Sequence, residues 1–342
     1  MTTFAIGGDS VVRRLGFGAM RITGEGTWGP PADRGSAVAL LRRAAELGVQ
    51  LIDTADTYGP DVSEELIAEA LHPYDGLLIA TKGGWARTGP SGRSPDGELL
   101  GWSHTGRPEQ LRVACEGSLR RLKVDRIDLY QLHWPDPDVP VEESVGAMKE
   151  LQHEGKVCHV GVCNVTGRQL AAARSVAEIA TVQSPFNLAD TSRADLLAEC
   201  EAHGIGFMPY RPLEGGTLAE PGGPVAAAAE RHGATPGQIA LAWLLARSPV
   251  ILPIPGTTSI AHLEENVAAA SLHLDEEEIQ AIGDPAGGAQ PPDRARRPAQ
   301  AGRTGQAGRA GQALRDSGRP GQGAGALGSP RDETRDFHGR DG

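Results

Sequence analysis

Cysteine is scarce in this 342-residue chain, and the four present, Cys115, Cys158, Cys163 and Cys200, form neither a C-x-x-C pair nor a motif with paired histidines. A disulfide framework and a structural zinc site are therefore excluded as organising principles, and three of the four read as small core residues. Long apolar runs are also missing: there is no stretch of about 18 apolar residues, and the opening MTTFAIGGDS has no charged segment leading into an apolar one. This indicates neither a membrane span nor a secretory signal, and the expected location is cytoplasmic. Aromatic residues make up only 4 % of the chain, and lysine is confined to Lys82, Lys123, Lys149 and Lys156 while arginine is plentiful. Any single lysine is correspondingly informative. The net charge of -11, with no basic block in the folding part, argues against nucleic acid or an anionic membrane as a partner.

What is present is an alternation of short apolar runs with amphipathic stretches, the pattern of repeated βα units. Eight strands are expected: Leu15 to Ala19, Val49 to Asp53, Leu77 to Thr81, Ile127 to Leu132, His159 to Cys163, Thr181 to Ser184, Gly206 to Met208 and Val250 to Pro253. Helical stretches lie between them, including Pro108 to Leu122, Val141 to His153 and Pro236 to Arg247. Right-handed βαβ connections make a parallel sheet, and eight similar units favour a closed (β/α)8 TIM barrel over an open doubly wound sheet. A hairpin over Phe4 to Val12, turning at Gly7-Gly8, is expected to close the barrel floor. Two connections are longer than a βα unit needs. Gly83 to Gly106 carries Trp85, Trp102 and His104 and reads either as a cover over a site or as a mobile surface loop, and Arg211 to Pro224 reads as a flexible segment over a ligand. From Asp284 the chain is dominated by Ala, Gly, Arg, Gln and Pro, so residues 1–283 are expected to form the barrel and 284–342 a disordered tail.

Functional groups of a (β/α)8 barrel gather at the C-terminal ends of its strands. There the second strand carries Asp53 with Tyr58 in the next turn, the third carries Lys82 and the fourth carries His133. Singly, each has a structural reading: Asp53 as a helix cap, Lys82 as a solvated surface group, His133 as a satisfied core residue. Their coincidence at consecutive strand ends points to carbonyl reduction. Hydride added to a carbonyl carbon leaves charge on oxygen that must be protonated, and a phenol can supply the proton if its pKa, about 10, is lowered. Lys82 is expected to do the lowering, Asp53 to keep that lysine charged, and His133 to donate a hydrogen bond to the carbonyl oxygen. The hydride has to come from a cofactor.

The segments GVQLIDTADTYG, IATKGG, RIDLYQLHWPDP, GKVCHVGVCNVT and IPGTTSIAHLEENVAAA, in this order, resemble the spaced motifs of the aldo-keto reductases, with RRLGFGAMRITGEGTWGPPADR and ATPGQIALAWLLARSP similar to the bacterial pyridoxal-reductase-like branch. The resemblance runs from Val12 to about Ile282. It implies an extended NADPH across the barrel mouth, with Asn164 and Gln183 at the carboxamide and Tyr210 stacked on the nicotinamide. The backbone of Arg211, Pro212 and Leu213 would then line the pyrophosphate, Gly256, Thr257 and Thr258 the adenosine phosphate, and Glu265 and Asn266 the adenine. Two departures stand out: Cys163 replaces the usual serine beside Asn164, and Gly256 and His262 stand where Lys and Arg commonly grip the 2'-phosphate. NADH therefore stays open as a cofactor.

Competing readings are weaker. A metal-dependent barrel hydrolase using Asp53 and His133 lacks the further ligands such a site needs. Gly16-Phe17-Gly18-Ala19-Met20-Arg21 lacks the third glycine of a dinucleotide fingerprint. A cofactor-binding regulatory subunit with little turnover would not need all four strand-end groups. Trp85, Trp102 and Trp134 read either as substrate contacts or as packing beneath the loops. The residues choose neither a particular carbonyl substrate nor an oligomeric state.

Overall fold

The computed structural model describes residues 2–93, 99–219 and 225–283. The expected tail, 284–342, lies outside the described residues. The chain opens with an antiparallel hairpin of β1 (Thr3–Ile6) and β2 (Ser10–Arg13), joined through Gly7 and Gly8, both at positive φ. It then runs β3 (Phe17–Gly18), α1 (Arg34–Glu46), β4 (Leu51–Asp53), α2 (Val62–Leu71) and β5 (Leu78–Gly83). The hairpin β6 (Trp85–Arg93) and β7 (Leu99–His104) follows, then α3 (Pro108–Leu122), β8 (Ile127–Leu132), α4 (Val141–His153) and β9 (Val157–Cys163). After these come α5 (Gly167–Val176), β10 (Ile179–Pro185), α6 (Ala194–Ala202), β11 (Gly206–Tyr210), α7 (Ala226–His232), α8 (Pro236–Arg247), α9 (Ile260–Ala268) and α10 (Glu276–Gly283).

Seven strands form one parallel sheet in the order β11-β10-β9-β8-β5-β4-β3. The expected eighth strand, Val250 to Pro253, is not a regular strand and makes only one bridge, Phe207 to Ile251. Its backbone nevertheless bonds to both edges. Phe207 N donates to Val250 O and Leu252 N to Phe207 O on one side, while Gly16 N donates to Pro253 O and Gly18 N to Pro255 O on the other. The proline positions have no N–H to give, which interrupts the ladder without opening the (β/α)8 barrel. The first strand is also shorter than expected, Phe17–Gly18 in place of Leu15 to Ala19, and a Cβ at Gly18 would lie 2.6 Å from Ile254 O.

Helix boundaries follow local chemistry. Asp33 caps α1 by accepting from Ser36 N, and Thr166 with Gln169, and Thr235 with Gln238, close capping boxes on α5 and α8. Period-two alternation sorts each strand's side chains. Ile52, Ile79, Tyr130, Val162, Val182 and Phe207 face the helices, whereas Leu51, Leu78, Ala80, Leu129 and Met208 fill the barrel interior. Ile6 and Val12 of the N-terminal hairpin pack on that interior layer and plug the floor.

Within Gly83 to Gly106 the described residues form a hairpin: Trp85 pairs with His104, Ala86 with Ser103 and Arg87 with Trp102 in an antiparallel ladder. Within Arg211 to Pro224, a short 3-10 turn occupies Glu214–Ala219, and residues 220–224 lie outside the described residues.

Candidate active site

The same alternation that buries Leu51, Ala80 and Leu129 turns Asp53, Lys82 and Gln131 into the barrel, each one inward position nearer the C-terminal mouth. Lys82 is wholly buried and Asp53 is 3 % exposed. Lys82 Nζ lies 2.6 Å from Asp53 Oδ2, donates to Thr54 O at 2.8 Å and reaches Tyr58 Oη at 3.4 Å. The other oxygen of Asp53 accepts from Gln131 Nε2 at 3.1 Å and Gln183 Nε2 at 2.8 Å. A buried carboxylate with an ammonium and two amide donors is fully satisfied, so it does not cap a helix as its alternative reading had it.

Burial works against the charge on Lys82, but Asp53 beside it prevails and raises the ammonium's pKa. Tyr58 departs from expectation. Its phenol is pushed up to about 12, because burial outweighs the pull of Lys82, while Asp53 adds to the rise. The expected lowering by Lys82 is real as an influence but is overridden by loss of water. His133 is held well below the usual imidazole range, first by burial and then by Lys82, so the ring is neutral. It meets Tyr58 edge to face with centroids 5.8 Å apart, and its Nδ1 lies 3.4 Å from Thr57 Oγ1.

Asn164 sits in the left-handed region at φ 58°, a conformation asparagine tolerates better than most residues. Its Nδ2 donates to His133 O at 3.0 Å and its Oδ1 accepts from Tyr210 Oη at 2.9 Å. Gln183 spends its amide nitrogen on Asp53. Cys163 is buried, with Sγ 3.9 Å from Gln131 Oε1. Beyond Tyr210 the chain turns sharply, with Arg211 and Glu214 at positive φ and Asn187 Nδ2 donating to Arg211 O. Pro212 is buried and Leu213 half-buried.

At the far side, Gly256 has a structural reason. A Cβ there would lie 2.6 Å from Gly18 O, so the position excludes any larger side chain. Thr257 is buried and its Oγ1 accepts from Ser259 N, Thr258 is exposed, and Ser259 caps α9. On α9, Asn266 is buried while His262 and Glu265 are exposed. Asp53, Tyr58, Lys82 and His133 thus meet in one cluster, while the residues from Gly256 to Asn266 form a separate stretch at the rim.

Sequence reasoning missed two participants. Gln131 could have been found from parity, since it lies on β8 in register with Lys82. Thr57 gave no local signal. Among the described residues, no helix is long and apolar enough to cross a membrane.

The parallel barrel thus carries a buried lysine–aspartate pair beside a tyrosine at the C-terminal ends of its strands. Residues 14–284 match the model of the aldo/keto reductase family, and the chain belongs to that family. An uncharacterised oxidoreductase of Schizosaccharomyces pombe is 46 % identical over 270 residues, covering 79 % of this chain and 85 % of the relative. Pyridoxine 4-dehydrogenase of Escherichia coli is 44 % identical over 289 residues, covering 82 % and 96 %, in agreement with the bacterial branch expected from the motifs. Among solved structures, an aldo/keto reductase from Klebsiella pneumoniae in complex with NADP and acetate is similar with a TM-score of 0.69 and 31 % identity, covering 82 % of this chain and 93 % of that one.

Proposed function

We propose that the protein reduces an aldehyde or ketone to an alcohol with NADPH in the cytoplasm, with Tyr58 as the proton donor. The observation that carries this reading is the buried ammonium of Lys82, locked to Asp53 at 2.6 Å and reaching Tyr58 at 3.4 Å. A phenol held at about 12 is protonated at neutral pH, so it is ready to donate. Lys82 then stabilises the phenolate that remains, and neutral His133 presents an N–H to the carbonyl oxygen. When bound, the reduced nicotinamide supplies hydride to the carbonyl carbon.

The donor set at the mouth fits that cofactor. Asn164 and Gln183 would hold the carboxamide, with Tyr210 at the ring. The backbone of Arg211, Pro212 and Leu213 would line the pyrophosphate. Gly256, Thr257 and Thr258 lead into the N-terminus of α9, whose unsatisfied N–H groups favour phosphate, and Glu265 and Asn266 would meet the adenine. The NADP held by the Klebsiella relative supports NADPH as the first choice, and the missing cations at Gly256 and His262 make NADH the comparison.

The test is a fluorescence titration with NADPH and NADH, followed by carbonyl addition while the absorbance of the reduced cofactor is recorded. Binding and oxidation are expected. Binding without oxidation of any carbonyl would mean a regulatory subunit, and absence of binding would sink the proposal.

A pH profile probes the ion pair. Asp53→Asn removes what raises Lys82 but leaves it buried, so the ammonium loses its proton at lower pH. The alkaline limb of kcat is expected to move toward neutrality, with kcat reduced about tenfold or more at pH about 9. An unmoved limb would disconnect Lys82 from the rate. The wild-type pair's contribution to stability has the matching sign: with the folded pKa raised, it is complete below the unfolded value of 10.5 and lost as pH rises beyond it.

A further inference from the structure

The carboxylate of Asp53 touches more than Lys82. Its Oδ2 is taken by the ammonium at 2.6 Å, and its Oδ1 accepts from Gln131 Nε2 at 3.1 Å and from Gln183 Nε2 at 2.8 Å. A carboxylate can only accept, so an amide beside it must turn its N–H2 inward and its carbonyl oxygen away. Gln131 has further reasons to lie this way, since Cys163 Sγ and Thr181 Oγ1 approach its Oε1 at 3.9 and 3.4 Å. Gln183 has no such second anchor. Among the described residues its Oε1 has no hydrogen-bond partner, and although the residue is only 4 % exposed, the fold does not seal that oxygen off. Asp53 thus decides which end of Gln183 is left for a ligand, and it leaves an acceptor.

The neighbouring amide is locked by other contacts. Asn164 gives one Nδ2 proton to His133 O at 3.0 Å and takes the Tyr210 hydroxyl on its Oδ1 at 2.9 Å, so what remains to donate is its second Nδ2 proton. Asn164 directly follows β9 and Gln183 lies in β10, and the two are tied by a bond from Asn164 N to Gln183 O at 2.9 Å. A free donor beside a free acceptor matches the C=O and N–H2 of a primary carboxamide. It mismatches a ketone, which has no N–H to give.

We infer that Asp53 is a positioning residue for the cofactor as well as the partner of Lys82: through Gln183 it fixes an acceptor at the nicotinamide carboxamide, so proton delivery and the reading of the ring substituent share one carboxylate. The inference rests on the reductase reading above, in which Gln183 meets that carboxamide. Asp53→Asn disturbs the arrangement in a definite way. The Lys82 ammonium needs an acceptor and takes the oxygen of the introduced amide, which puts N–H2 where Oδ1 stood, facing two donors. Gln131 is held by Cys163 and Thr181, whereas Gln183 can turn over to accept, and it then presents N–H2 to the ligand in place of oxygen.

The experiment measures by calorimetry the Kd of NADP and of its 3-acetylpyridine analogue, in which a methyl ketone replaces the carboxamide. The proteins are the wild type, Asp53→Asn, Gln183→Met and the double variant, at pH about 6 to favour the charged form of Lys82. The wild type is expected to bind NADP about fivefold or more tightly than the analogue, because the ketone strands the buried oxygen of Gln183. Asp53→Asn and Gln183→Met should each bring that ratio to about twofold or below. In the Gln183→Met background, adding Asp53→Asn should leave the ratio unmoved. A wild type without preference, or an Asp53→Asn protein in which both dinucleotides weaken by one factor, overturns the inference. Should Asp53→Asn fail to fold, the side-chain amide protons of Gln183, assigned in the nitrogen NMR spectrum by their loss in Gln183→Met, decide the matter. One proton protected from exchange in the free wild type supports the bond to the carboxylate, and two rapidly exchanging ones overturn it. Binding of neither dinucleotide to the wild type counts against the reductase reading itself, and the inference falls with it.

Discussion

Tyr58→Phe is expected to lower kcat by about 10²- to 10⁴-fold, the range typical of losing a positioned general acid. The substitution removes one oxygen and keeps the ring, so the edge-to-face contact with His133 survives. Lys82 keeps Asp53 and Thr54 O as partners, which confines the damage to proton delivery. Cofactor affinity should stay within about twofold, since no proposed cofactor contact involves the phenol. Stopped-flow measurement of reduced-cofactor oxidation, beside a binding titration, checks both halves. A kcat within about threefold of wild type would remove Tyr58 from the mechanism.

The second large effect concerns stability. Glu64 of α2 has no solvent exposure and is held by Arg121 of α3, Nε to Oε2 at 2.6 Å, and by the hydroxyl of Thr81. Thr81 precedes Lys82 on β5, so this carboxylate anchors the strand that carries the site's ammonium. Arg121→Met would leave Glu64 buried without a counter-charge, next to Asp56, whose pKa is already driven up by burial and by Glu64. The expected loss is about 3–5 kcal/mol in denaturant unfolding. The double variant Glu64→Gln/Arg121→Met should lose markedly less, because the stranded charge is gone; equal losses would show that lost arginine packing, not charge, is responsible.

Much of the architecture was legible because it rests on local periodicity. The alternation in LID, LIATKG and IDLYQL assigns one set of side chains to the helices and the other to the barrel, and the last inward position of a strand is where a polar group can reach the mouth. Asp53 and Lys82 were readable for that reason, as were α3, α4 and α8, which begin and end where expected. The proline-bearing segment after Val250 was harder: its apolar run resembles a strand, but its ladder depends on partners far away in the chain.

The site divides along the same line. Residue types and spacing determined that a carboxylate, a phenol, an ammonium and an imidazole would share one end of a barrel. Only the tertiary structure decided that Gln131 and Gln183 complete the shell of Asp53, and that burial lifts Tyr58 against the pull of Lys82. Desolvation is a sum over all surrounding atoms and leaves no mark on neighbouring letters. Likewise, the pairing of Trp85 to Arg87 with Trp102 to His104, and the seat of Arg87 between Trp102 and Trp28, join residues tens of positions apart. Such contacts follow from where the chain returns in space, whereas sequence periodicity reports only which way each side chain faces.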